Sequence, residues 1–275
     1  MDGDLGDFLR SRRARIRPEE VGLPSYGRRR VPGLRREEVA QLAGVSVDYY
    51  IRLEQGRGLS ASDAVLDSIA RVLRLDETEH AYLRTVARPR AAKGARRPAV
   101  PRVRPGVQLL LDALERSPAF VLGRRMEVLA WNALADALLG FGALEPADRS
   151  MPRLVFLDPA AADFYPEWAA IAAQTVANLR ISAGRYPDDP ALTGLVGELS
   201  VKSADFRRLW ADHEVKACAY GVKRVRHPVA GLLALPYETL TVPEDPDQTL
   251  VVYTPEPGSE TAERLALLGS WATAG

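Results

Sequence analysis

What the chain has little of narrows the field first. It holds one cysteine, Cys218, in 275 residues. One thiol closes no internal disulfide, and no Cys/His cluster has zinc-site spacing. The three histidines, His80, His213 and His227, are scattered; each alone reads more readily as structural or solvated than as a ligand. No metal and no cofactor are therefore expected. No apolar run approaches the ~18 residues that suggest a membrane span, and the opening stretch MDGDLGDFLRSRRARIR has no apolar signal-peptide core. A cytoplasmic chain without membrane contact is expected. G-x-S-x-G, P-loop, H-E-x-x-H and dinucleotide fingerprints are all missing. Asp188 and Asp189 sit in a Pro-flanked turn and read as solvated. Nothing here calls for an enzyme.

What is present is apolar bulk and a divided charge. Hydrophobic residues make up 47% of the chain, enough for a real core. The net charge of +1 hides an asymmetry. Residues 1–105 hold 22 Lys/Arg against 14 Asp/Glu, whereas the remainder holds 15 against 22. A basic first half and an acidic second half point to a polyanion partner for the first alone.

The segment RPRAAKGARRPAVPRVRPG (88–106) has four prolines and no periodicity. It reads as a basic linker over 89–105, dividing a domain at 1–88 from one at 106–275. The first domain reads as about five short helices: 4–15, 35–43, 46–55, 60–73 and 76–87. On the fourth, Val65, Leu66, Ile69, Val72 and Leu73 form one apolar stripe. The second domain mixes patterns. AFVLGRRMEVLAW reads as two short strands joined at Gly123-Arg124-Arg125. CAYGVKRVRHP, VAGLLALPYETLTV and QTLVVYTPE read as three more. Helices are expected at 106–116, 132–139, 191–199, 204–212 and 259–268. Another is long, with Phe164, Trp168, Ile171, Thr175 and Leu179 on one face. The expected fold is α+β, an antiparallel sheet with helices to one side.

The most informative stretch is LRREEVAQLAGVSVDYYIRLEQGR. A helix, a tight turn at Gly44 and a second helix capped by Ser46 make a helix-turn-helix pattern. Ala40 is small where the helices cross. Such a motif lays its second helix in the major groove of double-stranded DNA, with its first residues at the base edges. Arg28, Arg29 and Arg30, with Arg35 and Arg36 in VPGLRREE, add phosphate-binding charge beside it.

This stretch resembles XRE-type (Cro/C1-like) helix-turn-helix proteins, with Arg52, Leu53, Glu54 and Gly56 fitting the frame. The resemblance implies that Tyr50 is core, that Tyr49 faces outward with Val47 and Asp48, and that Arg36 and Arg52 contact the DNA backbone. Ser46, Val47, Asp48 and Tyr49 become the expected reading residues. The alternative for Tyr49 is packing against a neighbouring helix.

A wider resemblance covers nearly the full length. RRRVPGLRREEVAQLAGVSVDYYIRLEQGR and VLDSIARVLRLDETEHAYL carry it in the first half. VLAWNALADALL, FLDPAAADFYPEWAAIAAQTVANLR, HPVAGLLALPYETL and LVVYTPEPGS carry it in the second. The chain is similar to MmyB-like transcription regulators. That implies a PAS-like second domain binding a small apolar, fatty-acid-like molecule, and a homodimeric regulator. Trp131, Phe156, Phe164, Trp168, Phe206, Trp210 and Tyr237 are expected walls of the pocket, or ordinary core. Asn132, Arg180, His213 and His227 are candidate polar anchors, Arg180 for a carboxylate. Two alternatives stay open: a ligand-free dimerisation platform, and an enzyme carrying its own DNA-binding domain.

Overall fold

The structure is a computed structural model that describes residues 3–24, 33–56, 61–87, 102–216 and 219–274. The chain forms two compact units. One comprises Met1–Ala95 with Arg180–Thr193 and Leu209–Lys216; the other holds the rest.

The first unit is all helical. Its elements are α1 (Gly3–Arg15), a 3-10 turn (Pro18–Val21), α2 (Arg36–Ala43), α3 (Val47–Glu54), α4 (Asp63–Val72) and α5 (Glu77–Ala87). Caps set the helix starts. Ser46 Oγ accepts from the Tyr49 N–H at 3.1 Å, and Ser62 Oγ accepts from the Val65 N–H at 3.4 Å. Gly44 ends α2 at a φ of 70°, a left-handed conformation that costs glycine nothing. Its N–H and that of Val45 return to carbonyls of α2. One face of each helix goes inward: Phe8 and Leu9 from α1, Val39 and Ala40 from α2, Tyr50 and Leu53 from α3, Leu66 and Ile69 from α4, Leu83 from α5. The rings of Phe8 and Tyr82 meet edge-on at 5.0 Å.

The second unit contains α6 (Pro105–Ala113), β1 (Ala119–Leu122), β2 (Val128–Trp131), α7 (Ala133–Leu139), α8 (Met151–Phe156) and α9 (Ala161–Phe164). Then follow α10 (Trp168–Arg185), α11 (Pro190–Lys202), α12 (Ala204–Ala211), β3 (Tyr220–His227), β4 (Gly231–Val242), β5 (Asp245–Tyr253) and α13 (Glu260–Ala274). Parts of α10, α11 and α12 belong to the first unit. The five strands form one antiparallel sheet in the order β2-β1-β5-β4-β3.

Strand alternation gives the sheet two apolar faces. On one, Ala119, Val121, Ala130 and Leu250 pack against Leu111 of α6. On the other, Phe120 meets Phe141 and Tyr253, and Tyr237 meets Tyr253. There Gln174 of α10 donates to the Tyr237 hydroxyl at 2.7 Å. Helices therefore cover both faces, where one was expected. The short apolar stretch of α6 hides Leu111 while leaving Leu109 and Leu110 exposed, so its pattern does not reveal that it has a sheet to cover.

Two further expectations are corrected. Phe164 does not lie on the long helix. It ends α9, and Pro166 separates it from α10, since a proline disfavours helix in the residue before it. Asp189 is buried rather than solvated, because its Oδ1 accepts from the N–H groups of Ala191 and Leu192 at the start of α11. Residues 102–104 of the expected linker are held: the Arg102 carbonyl accepts from Gln248, and Arg104 pairs with Asp245 at 3.0 Å. The rest of the linker lies outside the described residues.

Candidate nucleic-acid interface and sensor unit

The start of α3 is the surface to examine. Ser46, Val47 and Asp48 are exposed, Val47 being 41% accessible despite its apolar side chain. Tyr49 is half-buried, with its ring against the core, so it combines packing with a partial surface position. Tyr50 is fully buried; burial, then the neighbouring Glu54 carboxylate, push its phenol well above the ordinary range. Arg52 is exposed, its Nε donating to the Asp48 carbonyl at 3.3 Å. Arg35 is exposed before α2, and its backbone N–H donates to Glu38 at 2.7 Å. Arg28, Arg29 and Arg30 lie outside the described residues.

Arg36 has a second occupation. Its guanidinium lies 2.9 Å from Glu54 Oε1, while its side chain stays 41% exposed. Glu54 is a buried hub: Arg13 donates to both of its carboxylate oxygens at 3.1 and 3.2 Å, and Arg10 lies 3.9 Å away. The hub ties α1, α2 and α3 together and was not anticipated. The signal was available. An acid in the last turn of a helix opposes the macrodipole and needs cations nearby.

In the second unit several of the expected pocket residues meet in aromatic groups. Phe156 meets Trp168 at 6.0 Å and Phe206 at 5.1 Å, and the Trp168 indole N–H donates to the Val155 carbonyl. Phe164 packs on Tyr165. Trp131 meets Phe141 and carries the Arg149 guanidinium over its ring. Tyr237 sits with Gln174 and Tyr253. Burial drives the phenols of Tyr165 and Tyr253 well above the usual range, and both act as core residues. Arg180, Trp210 and His213 belong to the other compact unit.

Two expected anchors make structural hydrogen bonds. Asn132 caps α7: its Oδ1 accepts from the N–H groups of Ala119 and Ala135, and its Nδ2 donates to the Leu114 and Ser117 carbonyls. All four of its hydrogen-bonding capacities are spent on backbone. His227 Nδ1 accepts from the N–H groups of Val229 and Ala230, closing the β3–β4 turn. Burial lowers its pKa, so the neutral imidazole is favoured.

An open cleft of about 800 Å³ lies between α13, the start of α7 and the segment after α6. Leu114, Leu134, Pro255, Leu265 and Ala266 line it, with Asp112, Glu115, Arg116 and Ser117 among its polar residues. Of the eleven residues expected as pocket walls or anchors, its lining includes Asn132. Its wall on α13 is built of small and aliphatic residues. Among the described residues, no helix is long and apolar enough to cross a membrane, and no group of His, Cys, Asp and Glu could hold a metal ion.

Two family models match the chain. The model of the MmyB-like transcription regulator ligand binding domain matches residues 103–268, and a helix-turn-helix domain model matches residues 4–83. No curated protein matches it.

Proposed function

Because the chain belongs to the MmyB-like transcription regulators with a ligand binding domain, we propose that it reads a DNA operator as a homodimer and changes its affinity when a small apolar, fatty-acid-like molecule binds. One observation carries the DNA reading. Helix α3 begins at a Ser46 cap and presents Ser46, Val47 and Asp48 outward, flanked by the exposed cations Arg35 and Arg52 and by the part-exposed Arg36. A helix N-terminus with short side chains and flanking arginines suits base edges between two phosphate backbones. The part of Tyr49 left exposed stands at the same edge. A two-fold dimer would place two such helices about 34 Å apart, one turn of duplex.

Selection of binding sequences from a random duplex library, using the full chain, tests this. An enriched motif with two half-sites one helical turn apart supports it. The affinity should also fall steeply with salt, by about 0.9 in log–log slope for each phosphate neutralised. Binding without enrichment would overturn operator reading.

For the ligand, the cleft beside α13 has a suitable size. Its apolar residues suit an alkyl chain, and its polar lining holds Arg116 together with the acids Asp112 and Glu115. Native mass spectrometry of the purified protein, followed by small-molecule identification, tests it. Ala266 is exposed and lines the cleft, so Ala266→Trp should fill the space without disturbing the core and remove any bound lipid. Lipid retained in that variant would move the site elsewhere. A clean dimer that never takes a fatty acid would favour a dimerisation platform. We read the chain as a non-catalytic cytoplasmic protein; turnover of a lipid-like compound by the full chain would overturn that.

A further inference from the structure

Of the three helices shared between the compact units, two run from the sensor unit into the DNA-binding unit. Helix α10 begins in the sensor unit and passes into the DNA-binding unit after Leu179; α12 does the same after Arg208. Each is anchored at its sensor end. Gln174 of α10 donates to Tyr237 of the sheet, and Phe206 of α12 is fully buried against Phe156.

Their other ends, with residues 212–216, are gripped inside the DNA-binding unit. Two arginines do most of this, and both are almost fully buried: Arg12 of α1 and Arg180 of α10, at 3% and 1% exposure. Arg12 donates to the His213 carbonyl at 2.6 Å, and its Nε faces Glu79 of α5 at 3.0 Å. An Arg180 nitrogen lies 3.0 Å from His213 Nδ1. A guanidinium is only a donor, so that Nδ1 is the lone-pair nitrogen. Arg180 also donates to the Trp210 carbonyl and lies over the Trp210 ring at 4.1 Å. Arg15, one turn along α1, reaches the Asp212 carbonyl at 3.1 Å and Glu214 at 3.4 Å. Val215 completes the grip by entering the core that holds Phe8 and Leu83. Helix α10 approaches α5 so closely at Gly184 that a Cβ there would stand 2.5 Å from the Tyr82 ring.

Apolar packing alone would hold such a segment with less desolvation than two buried guanidiniums. What buried polar contacts add is register, because each donor fits one arrangement. His213 itself is held at a φ of 50°, unusual for a residue with a side chain.

We propose that residues 209–216 and the last turns of α10 form a clamp on α1 and α5, through which ligand binding is felt by the helix-turn-helix core. This rests on the ligand-responsive reading above. A ligand that favours one placement of α10 or α12 is felt at Arg12 and Arg15, two turns of α1 whose neighbour Arg13 holds Glu54 and thereby α2 and α3. Arg180 thus acts as a positioning residue and not as a ligand's counter-ion.

Hydrogen exchange on the full chain, without DNA or ligand, tests the clamp directly. Three variants loosen it to different degrees: Arg180→Met; His213→Gly, which keeps the carbonyl for Arg12 and accepts the positive φ; and the exposed Arg15→Ala, which leaves the core intact. Each should speed amide exchange in α1 and α5, tenfold or more for Arg180→Met, while β1, β4 and β5 keep their protection. Unchanged exchange in α1 and α5 in His213→Gly and Arg15→Ala overturns the proposal, even if Arg180→Met unfolds. A second arm uses dodecanoate as the probe. In His213→Gly, operator and dodecanoate should each still bind, but the fold-change in operator affinity caused by dodecanoate should shrink towards one. An unaltered fold-change overturns the clamp. If the parent chain itself binds neither, the functional reading fails, and the exchange arm still decides the clamp.

Discussion

Glu54 Oε1 lies 2.9 Å from the Arg36 guanidinium and 3.1 Å from that of Arg13, and the Glu54 side chain has no exposed surface. A buried carboxylate held by two arginines is costly to break from one side, because the cations remain uncompensated. Glu54→Gln should therefore destabilise the helical unit by about 3 kcal/mol. Urea unfolding monitored at α1–α5 checks it. A midpoint equal to the parent's would show that the arginines find water or another partner at no cost.

Tyr49 separates packing from DNA contact in two substitutions. Its ring rests on the core, so Tyr49→Ala should cost about 1–2 kcal/mol of stability as well as affinity. Tyr49→Phe keeps the ring and should leave the melt unchanged. If the hydroxyl bonds a phosphate, Tyr49→Phe weakens operator binding by about 1 kcal/mol, near fivefold. Equal affinities for Phe and Tyr would remove the hydroxyl from the interface.

Asn132 makes four hydrogen bonds to backbone, two of them from N–H groups of strand β1 and helix α7. Removing its side chain leaves buried N–H and carbonyl groups unpaired. Asn132→Ala should destabilise the sensor unit by about 2–4 kcal/mol. Asn132→Asp restores the two accepting contacts and should recover part of the loss. A selective loss of ligand affinity with unchanged stability would return Asn132 to the role of anchor.

His227 gives the sensor unit a pH dependence. Burial lowers its folded pKa, and its Nδ1 lone pair accepts two N–H groups. Protonation would fill that lone pair and break both bonds. The unfolded chain takes up a proton near pH 6.5, while the folded chain resists. The stability from this group is complete above that pH and is lost as the pH falls towards the depressed folded value. Melting temperature should drop between pH 7.5 and 5.5. The drop should be smaller in His227→Asn, which accepts without titrating in that range.

Much of the first unit was legible because its periodicity is local. The stripe of Leu66, Ile69 and Leu73, the Ser46 cap and the Gly44 turn each lie within one or two helical turns of sequence. The strands were equally legible from their β-branched content. The site was harder. Arg12 and His213 are about 200 positions apart, and nothing in the pattern around either marks them as partners. An arginine after an apolar run, such as Arg180, reads the same whether it meets a ligand or the Trp210 carbonyl. Asn132 precedes a helix, which is a cap signal, and it also lines the cleft beside α13.

The gap between the two family models, residues 84–102, reads like a seam where one gene segment could be exchanged for another. The helical unit does not respect that seam, since Val215 and Ile181 pack in its core. A fragment ending at Ala95 would leave a hydrophobic hole where Val215 sits and a buried Arg12 without the His213 carbonyl. Shuffling this helix-turn-helix onto an unrelated sensor would require transplanting residues 180–193 and 209–216 as well. Inheritance of the two halves is therefore bound together by packing, and sequence drift in α1 should be answered by drift around His213.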